Sequence, residues 1–121
     1  MHKNWTWMKV DQEVAAELAE FLPETLFDAH VHVYRVRALG SPPPALPAEG
    51  PAQVTPRVWR TRLGRQVGGA RLVGGLLMPY PTPGCDVAAV NRTLLADLER
   101  DPDSRGAVII TPTCRRAQVK K

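Results

Sequence analysis

The chain has 121 residues, of which 44% are hydrophobic and 23% charged, and its formal net charge is +4; these values fit one small globular domain. Its apolar runs are too short to cross a bilayer, and its polar, aromatic N-terminus does not read as a secretory signal. We therefore expect a cytoplasmic protein in which Cys85 and Cys114 are reduced thiols.

Helical and extended segments alternate along the chain. A four-residue spacing of apolar side chains predicts the helices, short apolar runs predict the strands, and proline and glycine mark their ends. In chain order we predict a helix over 11–22, a strand over 26–33, a helix over 56–67, a strand over 71–78, a helix over 87–98 and a strand over 106–110. The segment 38–55 is a proline-rich loop with little regular structure.

This order of elements predicts a parallel sheet built from βαβ units. Near-continuous apolar strands fit a sheet of that kind, covered on both faces. Three strands are fewer than an open doubly wound sheet or a closed barrel requires. Residues 1–112 therefore look like the front part of a larger α/β fold, followed by a basic tail over 113–121.

The first predicted strand carries two histidines, His30 and His32, two residues apart. Alternate side chains of a strand share a face, so Asp28 is expected beside both of them. Neutral imidazole is a common metal ligand, and the carboxyl ends of parallel strands are where α/β folds place their sites. The pattern predicts a metal site with His30 and His32 as ligands and with Asp28 orienting one imidazole. The alternative is one core histidine and one exposed histidine.

Two imidazoles do not complete a catalytic metal site, which keeps three protein ligands and an open position. His2 precedes the first helix and is expected to be an exposed terminal residue. We therefore expect the missing ligands on strands that this chain does not contain.

Three further residues are weaker candidates for a role in substrate binding or catalysis. Arg35 follows the first strand and Tyr80 follows the second, so both are positioned to meet the acid or carbonyl group of a small substrate. An ordinary loop side chain is the alternative for each of them. Cys85 lies near a helix N-terminus, where thiolates are favoured, but no base stands at an identifiable spacing. A buried or incidental thiol is the better interpretation of Cys85.

Charge is distributed unevenly along the chain. Seven arginines and a single acid, Glu49, lie between residues 35 and 75. A basic segment of this kind could bind a nucleic acid or an anionic substrate. A solvated helix face explains the same pattern. The tryptophans do not interleave with these arginines in the sequence, and no nucleic-acid-binding motif accompanies them. We expect neither a nucleic-acid nor a membrane partner, and a basic nucleic-acid binder built on residues 57–71 remains an alternative.

Residues 22–32, Leu-Pro-Glu-Thr-Leu-Phe-Asp-Ala-His-Val-His, resemble the opening of the amidohydrolase superfamily. The closest branch is that of amidohydrolase-related proteins grouped with aminocarboxymuconate-semialdehyde decarboxylase, in which a helix leads to a first strand ending in Asp-x-His-x-His. Residues 74–81 are similar to the second strand and loop of that branch, and residues 86–91 and 105–112 to its next helix and third strand.

The resemblance implies an incomplete (β/α)8 TIM barrel, of which this chain supplies the first three parallel strands with their helices. It implies a divalent metal, with zinc the expected ion, and His30 and His32 match the family's first two ligands. The implied reaction is hydrolysis of an amide, ester or lactone bond, or nonoxidative decarboxylation of a small carboxylate by a carboxy-lyase.

The family's later histidines and catalytic aspartate lie on strands that this chain lacks. The expected function is therefore that of an N-terminal portion of a metal-dependent hydrolase, with no catalytic residue of its own and inactive alone. The rival interpretation is a non-enzymatic truncated remnant, or a fragment that needs a partner, with no metal bound. Open strand edges on a small sheet would favour such association.

Overall fold

One sheet organises the computed structural model, which describes residues 5–119 and leaves the side chains at 70, 118 and 119 undescribed. The helices are α1 (Lys9–Ala19), α2 (Ala45–Glu49), α3 (Pro56–Val67), α4 (Val87–Leu98) and α5 (Arg116–Val119), and the strands are β1 (Leu26–Arg35), β2 (Gln53–Val54), β3 (Leu72–Pro79) and β4 (Arg105–Gly106). The strand order within residues 5–119 is β2-β1-β3-β4. His2, predicted to be exposed, and Lys120 and Lys121, part of the predicted basic tail, lie outside the described residues.

The predicted fold class is wrong. β1, β3 and β4 pair in parallel, but β2 pairs with β1 in the antiparallel direction, through Tyr34 with Val54 and Arg35 with Gln53. The chain is therefore a small α/β domain with a mixed sheet and not the three-stranded parallel start of a (β/α)8 barrel. The sequence could not show this, because a two-residue strand has no alternation of apolar and polar side chains to detect.

The proline-rich segment 38–55 is where the prediction failed. It contains α2 and β2, and it turns the chain back on itself after β1. The N–H of Val36 donates to the carbonyl of Ala52 at 2.9 Å, which closes this return beside the antiparallel pair. The fold of this segment follows from tertiary pairing, since its proline content predicted an extended loop.

Two of the three predicted helices, 56–67 and 87–98, are confirmed at both ends. The Thr55 hydroxyl accepts from the N–H of Val58 at the start of α3, and the Asp86 carboxylate accepts from the N–H of Ala89 at the start of α4. Gly68 follows α3 with φ 77°, a left-handed conformation that glycine adopts without strain.

The other predicted elements are shifted or shortened. α1 begins at Lys9, and Asp11 lies in its first turn, where its carboxylate accepts from the N–H of Met8 at 2.7 Å. Of the predicted third strand, 106–110, only Gly106 is in a strand, the two-residue β4 that begins at Arg105. Beyond β4 the main chain of Ile109 is bonded in both directions to the side-chain amide of Asn91 in α4, at 2.8 and 2.9 Å. These amide bonds replace a continued strand ladder.

The core lies where α3 and α4 cover the sheet. Its buried residues are Val31, Val33, Val54, Trp59, Leu72, Leu77 and Leu94. Gly75 of β3 makes room for Trp59, because a Cβ at this position would come within 2.8 Å of the indole ring. None of the residues of α1 is buried, although this helix packs against α3.

A buried polar network fastens α3 to β3 and to the turn after α4. The Arg60 guanidinium pairs with Asp101, which is 7% exposed, and also donates to the carbonyl of Leu72. The Ser104 hydroxyl donates to Asp101 and accepts from the N–H of Gly75 at 3.0 Å. The buried carboxylate is thereby paired and hydrogen-bonded, as a buried charge must be.

No helix within residues 5–119 is long and apolar enough to cross a membrane.

Candidate metal centre

A bulge in β1 shapes the site. Asp28 pairs with Gly75 and Val31 pairs with Leu77, so three steps along β1 match two steps along β3. One residue is therefore extra on β1, and such a bulge bends a strand and re-aims its side chains. Strict alternation ends here: the buried Val31 lines the same cavity as His30 and His32.

The two imidazoles converge. Nε2 of His30 lies 3.0 Å from Nε2 of His32, and the ring centroids are 4.8 Å apart with an interplanar angle of 72°. His30 is exposed and His32 is half-buried. The structure thus brings together the two residues that the sequence singled out as ligands.

A main-chain contact fixes which nitrogen of His32 is available. Nδ1 of His32 lies 3.2 Å from the carbonyl oxygen of Pro79, at the end of β3. A carbonyl only accepts, so the hydrogen-bond network assigns the proton of neutral His32 to Nδ1. Nε2 of His32 then presents a lone pair to the space shared with His30, the orientation that a ligating histidine adopts.

The pair fits one divalent ion. Two nitrogens bound to zinc at about 2.0–2.1 Å in tetrahedral geometry lie about 3.3 Å apart. The observed 3.0 Å separation of the Nε2 atoms is close to this value. No group of three or more His, Cys, Asp or Glu side chains that could hold a metal is present within residues 5–119. The candidate site therefore has two possible ligands among the described residues, His30 and His32.

Asp28 has partners different from those expected. Its Oδ1 accepts from the backbone N–H of His30 at 3.0 Å, and its Oδ2 accepts from Nε1 of Trp59 at 2.9 Å. Neither bond reaches an imidazole ring. Asp28 instead anchors the bulged main chain of β1 to α3, so its influence on His30 passes through the backbone.

A cavity of about 380 Å³ opens beside the histidines. Its walls include Asp28, His30 and His32 from β1, Trp59, Arg62 and Gln66 from α3, and Trp5 and Trp7 from the N-terminal segment. This size is within the range of small-molecule sites. The cavity gives the exposed pair of imidazoles a concave surrounding.

Tyr80 joins the site through ring contacts. Its ring centroid is 5.0 Å from that of His32 and 5.8 Å from that of Tyr34. Partial burial, and then the neighbouring Tyr80 hydroxyl, raise the pKa of Tyr34 above its usual value. Tyr80, which the sequence placed near a substrate, therefore lies against a candidate ligand, although it does not line the cavity of Trp5 and Trp7.

Arg35 and Cys85 lie away from the histidine pair. The Arg35 guanidinium makes two bonds to the Asp97 carboxylate in α4, at 3.1 and 3.2 Å, and Asp97 is 3% exposed. This pairing ties the end of β1 to α4. Cys85 is a half-buried free thiol immediately before the Asp86 cap of α4.

Sequence reasoning missed the tryptophans. The Arg62 guanidinium lies 5.9 Å from the ring centroid of Trp5, and that of Arg65 lies 6.0 Å from Trp7. Two arginines of α3 therefore pair in space with tryptophans that are distant in the sequence. Helical spacing places Arg62 and Arg65 on one face of α3, but nothing in the sequence paired that face with residues 5–7.

No family model, curated protein or solved structure matches this chain. The resemblance to the amidohydrolases therefore stays a prediction, and the geometry of the site carries the functional argument.

Proposed function

We propose that His30 and His32 bind one divalent metal ion, with zinc the expected ion, and that the site serves a metal-dependent hydrolase or carboxy-lyase reaction on a small carbonyl or carboxylate compound. The observation that carries this proposal is the 3.0 Å separation of the two Nε2 atoms. Without a metal, two neutral imidazoles at this distance share a single hydrogen bond. With a metal bound, the Nε2 lone pairs of His30 and His32 would both coordinate the ion.

The chain's own residues hold the ligands in place. Pro79 accepts the Nδ1 proton of His32, and Asp28 binds the backbone of His30, so neither ligand needs to be reoriented as a whole. His30 needs only to carry its proton on Nδ1 to free its Nε2. The metal, when bound, supplies Lewis-acid polarisation of a carbonyl oxygen or activation of a water.

Two protein ligands leave coordination positions for water, substrate or groups from outside the described residues. Metal binding is therefore the property we assign to this chain, and we expect little turnover from the chain alone. Hydrolysis of an amide, ester or lactone and nonoxidative decarboxylation both fit an electrophilic metal beside a cavity of this size. The proposed location is the cytoplasm.

Titration of the purified chain with zinc tests the proposal. We expect one ion per chain, measured by calorimetry and by competition with a chromogenic chelator. His30→Ala and His32→Ala should each remove this binding. His2→Ala removes the chain's remaining histidine and serves as the matched control, with binding retained. Unchanged zinc affinity in both site variants, or absence of binding to a folded wild-type chain, would overturn the proposal.

A second metal gives an independent readout. Cobalt(II) bound by imidazoles has visible absorption that reports on coordination. Addition of cobalt should produce this spectrum in the wild-type chain and in His2→Ala, and it should be absent from His30→Ala. An identical spectrum in His30→Ala would mean that the metal binds elsewhere.

A further inference from the structure

Three tryptophans line the cavity that also contains the histidine pair. Trp5 and Trp7 come from the segment before α1, and Trp59 comes from α3. Trp59 is 7% exposed, whereas Trp5 is 41% exposed. Indoles supply large, flat contact surfaces with few rotatable bonds, so they favour flat ligands.

Contacts with α3 fix the positions of Trp5 and Trp7, which line the cavity from the N-terminal segment. Arg62 donates to the carbonyl of Trp5 and stacks on its ring, and Arg65 stacks on Trp7. Each cation–π contact holds the indole ring of Trp5 or Trp7 against α3. The two rings are therefore preorganised, which lowers the entropic cost of binding a ligand.

Gly50 provides a second, independent sign of this packing. An added Cβ at Gly50 would lie 2.8 Å from Nε1 and 3.1 Å from Cε2 of Trp5. The indole ring therefore occupies the space that any larger residue at position 50 would fill. Gly50 is buried, and its φ of −93° is accessible to alanine. A change there would displace the ring of Trp5 without touching a histidine.

The charges of the described lining residues do not select an anion. Arg62 is committed to Trp5, Asp11 accepts from Met8, and Asp28 accepts from Trp59 and His30. The lining thus contains one guanidinium and two carboxylates, all with partners. In the metal-free chain a negatively charged ring would meet net negative charge from these three residues, so an uncharged ring is favoured there.

We infer that this cavity binds an uncharged, planar aromatic or heteroaromatic ring, stacked against Trp5 and Trp7, with its carbonyl substituent directed toward His30 and His32. The ring's binding position is independent of the metal. The reactive role of the carbonyl rests on the proposed function. The inference narrows the expected substrate from any small carbonyl or carboxylate compound to aromatic amides, esters and related neutral carbonyl compounds.

Three probes of nearly equal size separate the possibilities. Benzamide is flat and uncharged, cyclohexanecarboxamide has the same polar group on a puckered ring, and benzoate is flat and charged. We expect benzamide to bind most tightly to the full chain in its metal-free form, measured by NMR titration of the indole N–H signals. Equal binding of cyclohexanecarboxamide, tighter binding of benzoate, or no benzamide binding would each overturn the inference.

Variants place the probe in the cavity. Trp5→Ala and Trp7→Ala should each weaken benzamide binding about 3- to 10-fold, the range expected for loss of one aromatic contact. Gly50→Ala should weaken it through displacement of Trp5. Phe21→Ala removes an aromatic ring that is 81% exposed and outside the cavity lining, and should change nothing. Unchanged benzamide affinity in folded Trp5→Ala and Gly50→Ala, checked by circular dichroism, would contradict the inference.

A zinc titration of the same samples keeps the two proposals distinguishable. Zinc binding without benzamide binding overturns only the ring site. Benzamide binding without zinc binding overturns the proposed metal chemistry and supports the ring site.

Discussion

The indole N–H of Trp59 donates a 2.9 Å hydrogen bond to Oδ2 of Asp28 and so joins the first turn of α3 to the bulge of β1. The other oxygen of the same carboxylate holds the backbone N–H of His30 at 3.0 Å. A core tryptophan is therefore connected through one carboxylate to the main chain of a candidate metal ligand. This links the packing of α3 to the geometry of the histidine pair.

Trp59→Phe should weaken zinc binding. The variant keeps an aromatic ring in the core but removes the donor to Asp28, at a stability cost of about 1–3 kcal/mol. Since the bulge then loses one anchor, we expect a lower zinc affinity, measured by chelator competition, together with a lower urea midpoint. Trp7→Phe is the control, because the Trp7 ring stacks with Arg65 and is not the partner of Asp28. An equal loss of affinity in Trp7→Phe would contradict the anchoring role.

Asp97→Ala should destabilise the fold without changing metal affinity. It leaves the half-buried Arg35 guanidinium without its carboxylate, and loss of one member of a buried pair costs about 3 kcal/mol. The double variant Arg35→Met with Asp97→Leu should recover part of the loss, because it removes both charges. Urea unfolding and zinc titration provide the two measurements. A large drop in zinc affinity in the double variant would show that Arg35 acts at the site.

Gly74→Ala should destabilise the sheet. Its added Cβ would collide with the carbonyl oxygen of Asp103. That oxygen belongs to the main chain and cannot rotate away as the end of a side chain could. Overpacking of this kind costs about 1–3 kcal/mol, measurable as a lower thermal or urea midpoint. Gly69→Ala is the matched control, because nothing lies within 4 Å of the added carbon. Equal stability of the two variants would refute the close approach of β3 to the turn after α4.

Tyr34 should make folding stability fall at high pH. Its pKa is raised from 10.0 in the folded chain, by burial first and then by Tyr80. Above about pH 10 the unfolded chain loses this proton more readily than the folded chain, so stability declines until the folded pKa is passed. Urea midpoints at pH 8 and pH 10.5 should differ less in Tyr34→Phe than in the wild type. The same pH dependence in both proteins would rule out this contribution.

Cys114 should be the more reactive of the two thiols. Its Sγ lies 3.4 Å from the Thr111 hydroxyl and accepts from the Thr111 N–H at 3.3 Å, and these contacts lower the pKa of Cys114. A larger thiolate fraction speeds alkylation. Iodoacetamide labelling at pH 7, followed by peptide mass spectrometry, should modify Cys114 before Cys85, and Thr111→Val should slow Cys114 alone. Faster labelling of Cys85 would contradict this assignment.

Local signals predicted the helices that begin and end with specific side chains. Thr55 and Asp86 could be identified as caps because capping depends on a residue and the three that follow it. The histidine pair could be identified for a similar reason, since residues two apart on a regular strand share a face. The convergence of their rings agrees with that expectation.

Local sequence patterns could not predict which distant segments pair in the sheet. The antiparallel contact of Val54 with Tyr34 depends on how a proline-rich segment returns to the sheet, and this overturned the predicted parallel barrel start. Regular alternation along a strand would place Val31 on the face opposite His30 and His32, but Val31 follows the bulge and lines the same cavity as they do. A bulge depends on the register of two strands, and register is set by the whole sheet.

The amino-acid sequence alone determined the bounds of α3 and α4, the approximate positions of β1 and β3, and the choice of His30 and His32 as candidate ligands, because those features depend on residues a few positions apart. Only the tertiary structure decided that the sheet is mixed, that Asp28 is held by Trp59, and that Trp5 and Arg62 wall the cavity. Those contacts join residues separated by 18 to 57 positions. Their formation depends on how the elements pack, and no periodicity of a single segment encodes that.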